Sequence, residues 1–346
     1  MRVLRGRVPH ATRAPCLGRL APCLLVLGVA LGGAFASVSG ATHPRSRPGA
    51  VRHQHTFDAR RASRAPVEFG CPMFPAGDAL NREITHAPVD PNSAKYLASI
   101  GLTAHLHPDF GTNPSYGIPY TIARRAQHKV PVKFTLYGSE SDPGPYPVPP
   151  NAPIEGGGPS GSGDKHVLVV QKDACRLFEM YLAHRSGAGW DAGSGAVFNL
   201  RSTTLRPEGW TSADAAGLPI LPLLARYPEA HAGRIDHALR VTVPRTQRGY
   251  IHPATHFAAA TSDPSLPPMG LRLRLRASYS LAGFSAESRV ILEALKRYGL
   301  IVADNGSPWF ITGAPSARWN DANLEALKRV PGSEFEAVES GPILHR

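Results

Sequence analysis

Charge is scarce in this chain: only 18% of its 346 residues are Asp, Glu, Lys or Arg, too few to dress a coiled coil. Cysteine is scarcer, four residues in all, and none sits in a CxxC pair that would nominate a structural zinc site. After residue 36 no run is long and apolar enough to cross a bilayer, and the run at 20–36 is shorter than the ~20 residues a spanning helix needs. Several catalytic signatures are missing as well. The Gly/Ser-rich stretch from Gly157 to Gly163 contains no GxSxG, there is no GK[ST] phosphate loop, and no GxGxxG stands between a strand and a helix. His252 and His256 have zincin spacing, but Pro253 occupies the place of the required Glu and disfavours the helix.

What the chain does have is proline and glycine, 34 of each, beside 42% hydrophobic residues. It therefore folds, with many turns. The net charge of +12 suggests nucleic acid until it is mapped. Residues 1–65 carry 11 basic residues against one acidic, whereas residues 66–346 carry 27 against 25. A nucleic-acid partner needs a basic face on the domain itself, so none is expected. Arg2, Arg5, Arg7, Arg13 and Arg19 precede the apolar run, and Ala34-Phe35-Ala36 offers a small-x-small cleavage site. Residues 1–36 read as a signal peptide that leaves no stable membrane anchor after cleavage, and the mature protein as secreted and extracellular. Residues 37–66, rich in Arg, Ser, Pro and His, read as a disordered linker. Two cysteines then remain, Cys71 and Cys175, and an oxidising compartment favours one disulfide between them.

Residues 67–346 read as a single β-rich domain. Val132, Phe134 and Leu136 alternate with polar residues, and apolar runs at 166–171 and 175–182 flank a short polar break, which predicts a hairpin. Further strands are expected at 196–200, 237–243, 271–275, 300–303 and 309–312, the last two flanking a turn with Asn305-Gly306. Helices are expected after Asp90-Pro91, from Ser285 to Gly299, and from Asn320 or Asp321. The fold class is mainly β, of sandwich or jelly-roll type, with a few peripheral helices.

Chemistry-bearing residues form several groups. His105, His107 and Asp109 fall at i, i+2 and i+4, so an extended backbone would aim all three to one side and a divalent metal becomes a candidate cofactor. This partly resembles the HxHxD start of the metallo-β-lactamase motif, although Phe110 replaces the family's following His and no βαβ alternation comes after it. Glu140 and Asp142 end a strand and enter a loop, where functional carboxylates are common. Glu179 shares a strand face with Leu177 and Tyr181, and burial there would raise its pKa. His237 lies on the apolar side of its strand, with Arg240 on the opposite side. Arg272, Arg274 and Arg276 alternate with leucines, a stripe that could grip an acidic polymer. Trp190, Trp210, Trp309 and Trp319 are candidate sugar-stacking surfaces.

The stretches Ile235-Asp236-His237-Ala238-Leu239-Arg240 with Pro253-Ala254-Thr255-His256, and Ala303-Asp304-Asn305-Gly306-Ser307-Pro308-Trp309-Phe310 with Arg318-Trp319-Asn320, resemble a group of secreted proteins of unassigned activity. The resemblance implies export and carries over no catalytic residue. The expectation is a secreted carbohydrate-active enzyme, a glycoside hydrolase or polysaccharide lyase, whose partner is an extracellular polysaccharide. Its site would join Asp304, His256, His237, Glu140 and Asp142, with Trp309, Arg240, Arg272 and Arg274 binding substrate. The rivals are a metal-dependent hydrolase centred on His105, His107 and Asp109, and a non-catalytic glycan- or wall-binding protein.

Overall fold

Proline and glycine cut the chain into short strands. The structure, a computed structural model, describes residues 65–158, 160, 161 and 163–346. The expected signal peptide, and the linker up to residue 64, lie outside the described residues. The first half contains β1 (Val67–Glu68), β2 (Cys71–Pro72), α1 (Ser93–Ile100), β3 (His107–Asp109), β4 (Tyr120–Ala123) and β5 (Val132–Phe134). Then come β6 (Val167–Gln171), β7 (Arg176–Tyr181), β8 (His184–Ser186), β9 (Gly189–Ala192) and β10 (Ser194–Asn199). The last third adds α2 (Tyr227–His231), β11 (Leu239–Val243), β12 (Arg272–Leu275), α3 (Ala286–Arg297), β13 (Leu300–Asn305), β14 (Phe310–Thr312), α4 (Asp321–Glu325) and β15 (Phe335–Val338). The fold is mainly β.

Two sheets dominate: a four-stranded one in the order β10-β7-β6-β4 and a six-stranded one in the order β15-β12-β13-β11-β14-β3. A three-stranded sheet, β5-β9-β8, and the β1-β2 ribbon accompany them. The four-stranded sheet is apolar on both faces because its residues alternate between two cores. Leu168, Val170, Leu177 and Phe198 join the large core shared with the six-stranded sheet. Val167, Val169, Phe178 and Met180 join a second core with Trp190 and Ala192 of the three-stranded sheet. Period-two alternation thus decides which neighbour each side chain meets.

The expected 166–182 hairpin forms as the antiparallel β6–β7 pair. The helix starting after Ser285 also forms; the Ser285 hydroxyl accepts from Ser288 N at 3.1 Å as its N-cap. Gly299 follows it at φ 72°, where an added Cβ would stand 2.3 Å from the Leu273 carbonyl oxygen. The pair at 300–303 and 309–312 differs from expectation. β11 lies between β13 and β14, parallel to the first and antiparallel to the second. The parallel β11–β13 pair needs a long crossover, and residues 244–299, carrying β12 and α3, supply it. Parallel ladders also join β4 to β6, β5 to β9 and β3 to β14, which a purely antiparallel jelly roll does not contain. Leu136 falls outside its expected strand and is exposed.

A disulfide joins Cys71 to Cys175, with Cα atoms 5.4 Å apart and a sequence separation of 104. It pins the β1–β2 ribbon to the turn of the β6–β7 hairpin. No helix among the described residues is long and apolar enough to cross a membrane.

Candidate functional site

The site begins with a register fault. Along the β11–β13 ladder Val241 faces Val302, but Thr242 faces Asp304, so Ala303 is an extra residue on β13. Without this bulge Asp304 would continue the face of Val302. With it, Asp304 shares the face of Thr242 and Arg240. Arg240 is buried and reaches three groups on that face. Its Nε donates to Asp214 Oδ2 at 2.9 Å, one Nη donates to Thr312 Oγ1 at 2.8 Å, and the other stands 3.8 Å from Asp304 Oδ2. The Asp214 side chain is wholly buried, whereas that of Asp304 is 26% exposed. Burial, reinforced by the Asp214 carboxylate, pushes the Asp304 carboxyl up to about 6 despite Arg240.

Asp304 and Asn305 line a cleft of about 270 Å³ at the C-terminal end of β13, the place where open sheets with parallel strands usually bind ligands. The 211–215 loop forms one wall. Asp214 N donates to the Ser212 hydroxyl at 2.9 Å, and that hydroxyl donates onward to the Leu218 carbonyl at 2.6 Å. Ser194 Oγ donates to Ser212 O at 2.6 Å, and Arg206 Nε to Thr211 O at 2.8 Å. His166, buried behind the loop, donates from Nε2 to Ala213 O at 2.9 Å while its Nδ1 meets Glu155 Oε2 at 2.6 Å. Burial alone would depress this imidazole, but Glu155 more than reverses the effect and brings it to about 9. His166 is therefore a cation at neutral pH, and it adds a charge-assisted hydrogen bond to those that hold the loop.

The other walls carry Tyr137, Tyr181, Asp164, Ala258 and His256. His256 Nδ1 donates to Ala215 O at 2.7 Å, which fixes the tautomer because a carbonyl only accepts. Its Nε2 lies 4.0 Å from Glu140 Oε2, and Glu140 is itself held by Thr211 N at 3.0 Å. The cleft thus brings together a partly exposed carboxyl with a raised pKa, an oriented imidazole, hydroxyls and two tyrosine rings. It can exchange protons with a polar ligand held against aromatic surface.

The other sequence candidates lie elsewhere. His237 is buried beside Glu229 and Arg226, with Nδ1 donating to Ala238 O at 2.7 Å, and it has no cleft surface. Asp142 is tied to Arg206 at 2.5 Å and accepts from Val197 N at 2.9 Å, so it fixes a loop. Trp309 cannot stack on a sugar, because it is fully buried against Phe335 and donates to Gly101 O at 2.8 Å. Trp190 and Trp319 are buried too. Arg240 is enclosed by the two aspartates and Thr312, with no surface left to bind substrate. Arg272 and Arg274 are also enclosed. Arg272 donates to the Ala79 and Tyr298 carbonyls, and burial lowers its pKa to about 10. Arg274 pairs with Glu336 at 2.6 Å and donates to carbonyls of the 84–87 segment. Glu179 is buried with its pKa raised to about 7, but its oxygens accept from Ile220 N and Leu221 N and face no cleft.

The His105, His107, Asp109 trio does not converge on a cation. His105 is exposed, His107 Nε2 meets the Tyr116 hydroxyl at 2.6 Å, and its ring stacks on Phe310 at 3.8 Å. Among the described residues no group of three or more His, Cys, Asp or Glu is placed to hold a metal ion. Sequence reasoning missed Asp214, Asp164, Tyr137 and Tyr181. The clustered hydroxyls of Thr211-Ser212-Ala213-Asp214 offered a signal, since Ser and Asp at two-residue spacing favour tight loops. Comparison with family models, with curated proteins and with solved structures finds no match.

Proposed function

We propose that the cleft is the active site of a secreted glycoside hydrolase acting on an uncharged polysaccharide. The observation that carries this reading is Asp304, a partly exposed carboxyl held up to about 6 at the mouth of a cleft with tyrosine walls. A general acid must be protonated and reachable near the working pH, and a partly exposed carboxyl titrating near 6 meets both conditions in mildly acidic solution. In the reaction Asp304 gives its proton to the glycosidic oxygen as the bond from that oxygen to the anomeric carbon breaks. Water attacks the same carbon, and His256 Nε2 takes the water proton, with Glu140 stabilising the resulting imidazolium. Tyr137 and Tyr181 offer the flat surfaces that sugar rings favour.

The lyase branch is disfavoured by charge. A lyase must neutralise the substrate carboxylate, yet the cleft lining holds Asp164, Asp214 and Asp304 and no Lys or Arg. We also read the four-stranded and six-stranded sheets as the layers of a sandwich, and the disulfide as the mark of an exported protein. The deciding experiment screens purified protein against neutral and acidic polysaccharides, scoring new reducing ends and ultraviolet-absorbing unsaturated products. New reducing ends from a neutral glycan, lost in Asp304→Asn, support the reading. Unsaturated products indicate a lyase. Retention on a glycan column with no cleavage indicates a binding module.

A further inference from the structure

We infer that Asp214, clamped by Arg240, is the positioning residue that draws the guanidinium charge away from Asp304. The inference rests on the reading of Asp304 as a proton donor, but its core concerns a charge arrangement that exists without substrate. Arg240 lies between two carboxylates at unequal distances, 2.9 Å to Asp214 and 3.8 Å to Asp304. The nearer pairing spends most of the guanidinium charge on Asp214. Asp304 therefore faces a neutralised pair plus desolvation, rather than a bare cation that would ionise it. Thr312 Oγ1 holds the third corner of the guanidinium, so Arg240 cannot swing toward Asp304 without losing a buried bond.

The bulge at Ala303 makes this arrangement specific, since it alone turns Asp304 onto the arginine face. The other charged or titratable groups around Asp304 are Asp164, Tyr137 and Tyr181 on the walls, His256 across the cleft, and the Glu155–His166 pair behind the 211–215 loop. Asp164 pushes Asp304 in the same direction as Asp214, while the Glu155–His166 pair is internally balanced. Asp214 is thus the group whose removal leaves a cation unopposed beside Asp304.

The test is a carboxyl ¹³C titration of full-length protein by NMR, with Asp304 assigned through Asp304→Asn. In the parent protein the Asp304 signal should titrate near 6. In Asp214→Asn it should move down by about one pH unit or more, because Arg240 then faces Asp304 alone. Arg240→Gln should move it upward, since two carboxylates then share the site. Opposite shifts from two neighbouring substitutions are not what loosened packing produces. If both buried variants fail to fold, Thr312→Val still decides, because freeing that corner of the guanidinium lets Arg240 approach Asp304 and must lower its midpoint. An Asp304 midpoint in the ordinary range near 4 in the parent protein, or no movement in any variant, overturns the inference. Where a substrate has been found, the alkaline limb of kcat/KM must shift with the NMR midpoint. With no substrate the function fails, while the titration still tests the clamp.

Discussion

Two buried arginines, Arg226 and Arg240, are built alike and end in different surroundings. Each lies between one close and one distant carboxylate: Arg226 is 2.8 Å from Glu229 and 3.9 Å from Glu68, and Arg240 is 2.9 Å from Asp214 and 3.8 Å from Asp304. Around Arg226 the cluster is closed. His237 fills the remaining side at 3.2 Å, and Arg226 also donates to Leu221 O. Its far carboxylate, Glu68, is 12% exposed. Around Arg240 the far carboxylate opens on the cleft. In the closed cluster the close carboxylate, Glu229, is held below its ordinary range, because Arg226 and His237 together outweigh its burial. The far carboxyls of both clusters, Glu68 and Asp304, are raised by burial, so the clusters differ in access: only Asp304 opens on the cleft. The same ionic parts give stability when sealed and a proton donor when one member is left at a surface.

The comparison breaks most sharply at Asp304. Asp304→Asn keeps shape and should lower turnover ~10²–10⁴-fold with little change in melting temperature, measured on a substrate found by the glycan screen. Near-full activity would remove Asp304 from the mechanism. Arg226→Met should do the reverse. It leaves Glu229 and Glu68 without their buried cation and should cost about 3–5 kcal/mol in urea unfolding. Residual activity per folded molecule should stay near the parent value, because nothing in that cluster lines the cleft. A variant as stable as the parent would show that the closed cluster is replaceable by apolar packing.

A third expectation concerns the pair behind the cleft loop. The folded His166 titrates near 9, above the 6.5 of an unfolded chain. Its contribution is therefore complete below pH 6.5 and is lost as pH rises toward 9, on the order of 3 kcal/mol. Urea unfolding at intervals from pH 6 to 9.5 should show this decline, and Glu155→Gln should flatten it. A pH-independent stability across that window would mean that His166 is neutral in the fold.

How much of this could be read in the sequence depends on the range over which each signal acts. Alternation over six residues placed the β6–β7 hairpin, and Ser285 with Gly299 bounded α3, because both signals are local. The six-stranded order was not legible: Asn305-Gly306 looks like hairpin chemistry, yet β11 intervenes through a crossover of more than fifty residues. The arginine stripe misled for a related reason. Alternation says that Arg272 and Arg274 share a face, but not that carbonyls of the 79–87 segment and Glu336 cover that face. Asp304 and His256 could be named as ionisable residues near turns. Asp214 could not, since its importance comes from a one-residue bulge at Ala303, far along the chain on another strand.

The smallest expected effect tests the cleft wall, where Tyr137 is 42% exposed while Trp309 is wholly buried. If aromatic surface binds the glycan, Tyr137→Ala should raise KM up to about tenfold with kcat nearly unchanged, since a stacked ring contributes roughly 0.5–1.5 kcal/mol. Tyr137→Phe should keep most of the affinity, because the ring face is retained and only the hydroxyl is lost. Trp309→Phe should leave KM unchanged and lower stability instead, by the volume removed from the core and the lost bond to Gly101 O. If Trp309→Phe raises KM while Tyr137→Ala does not, the ligand lies outside this cleft, and the contrast between an open and a sealed arginine cluster is one of stability alone.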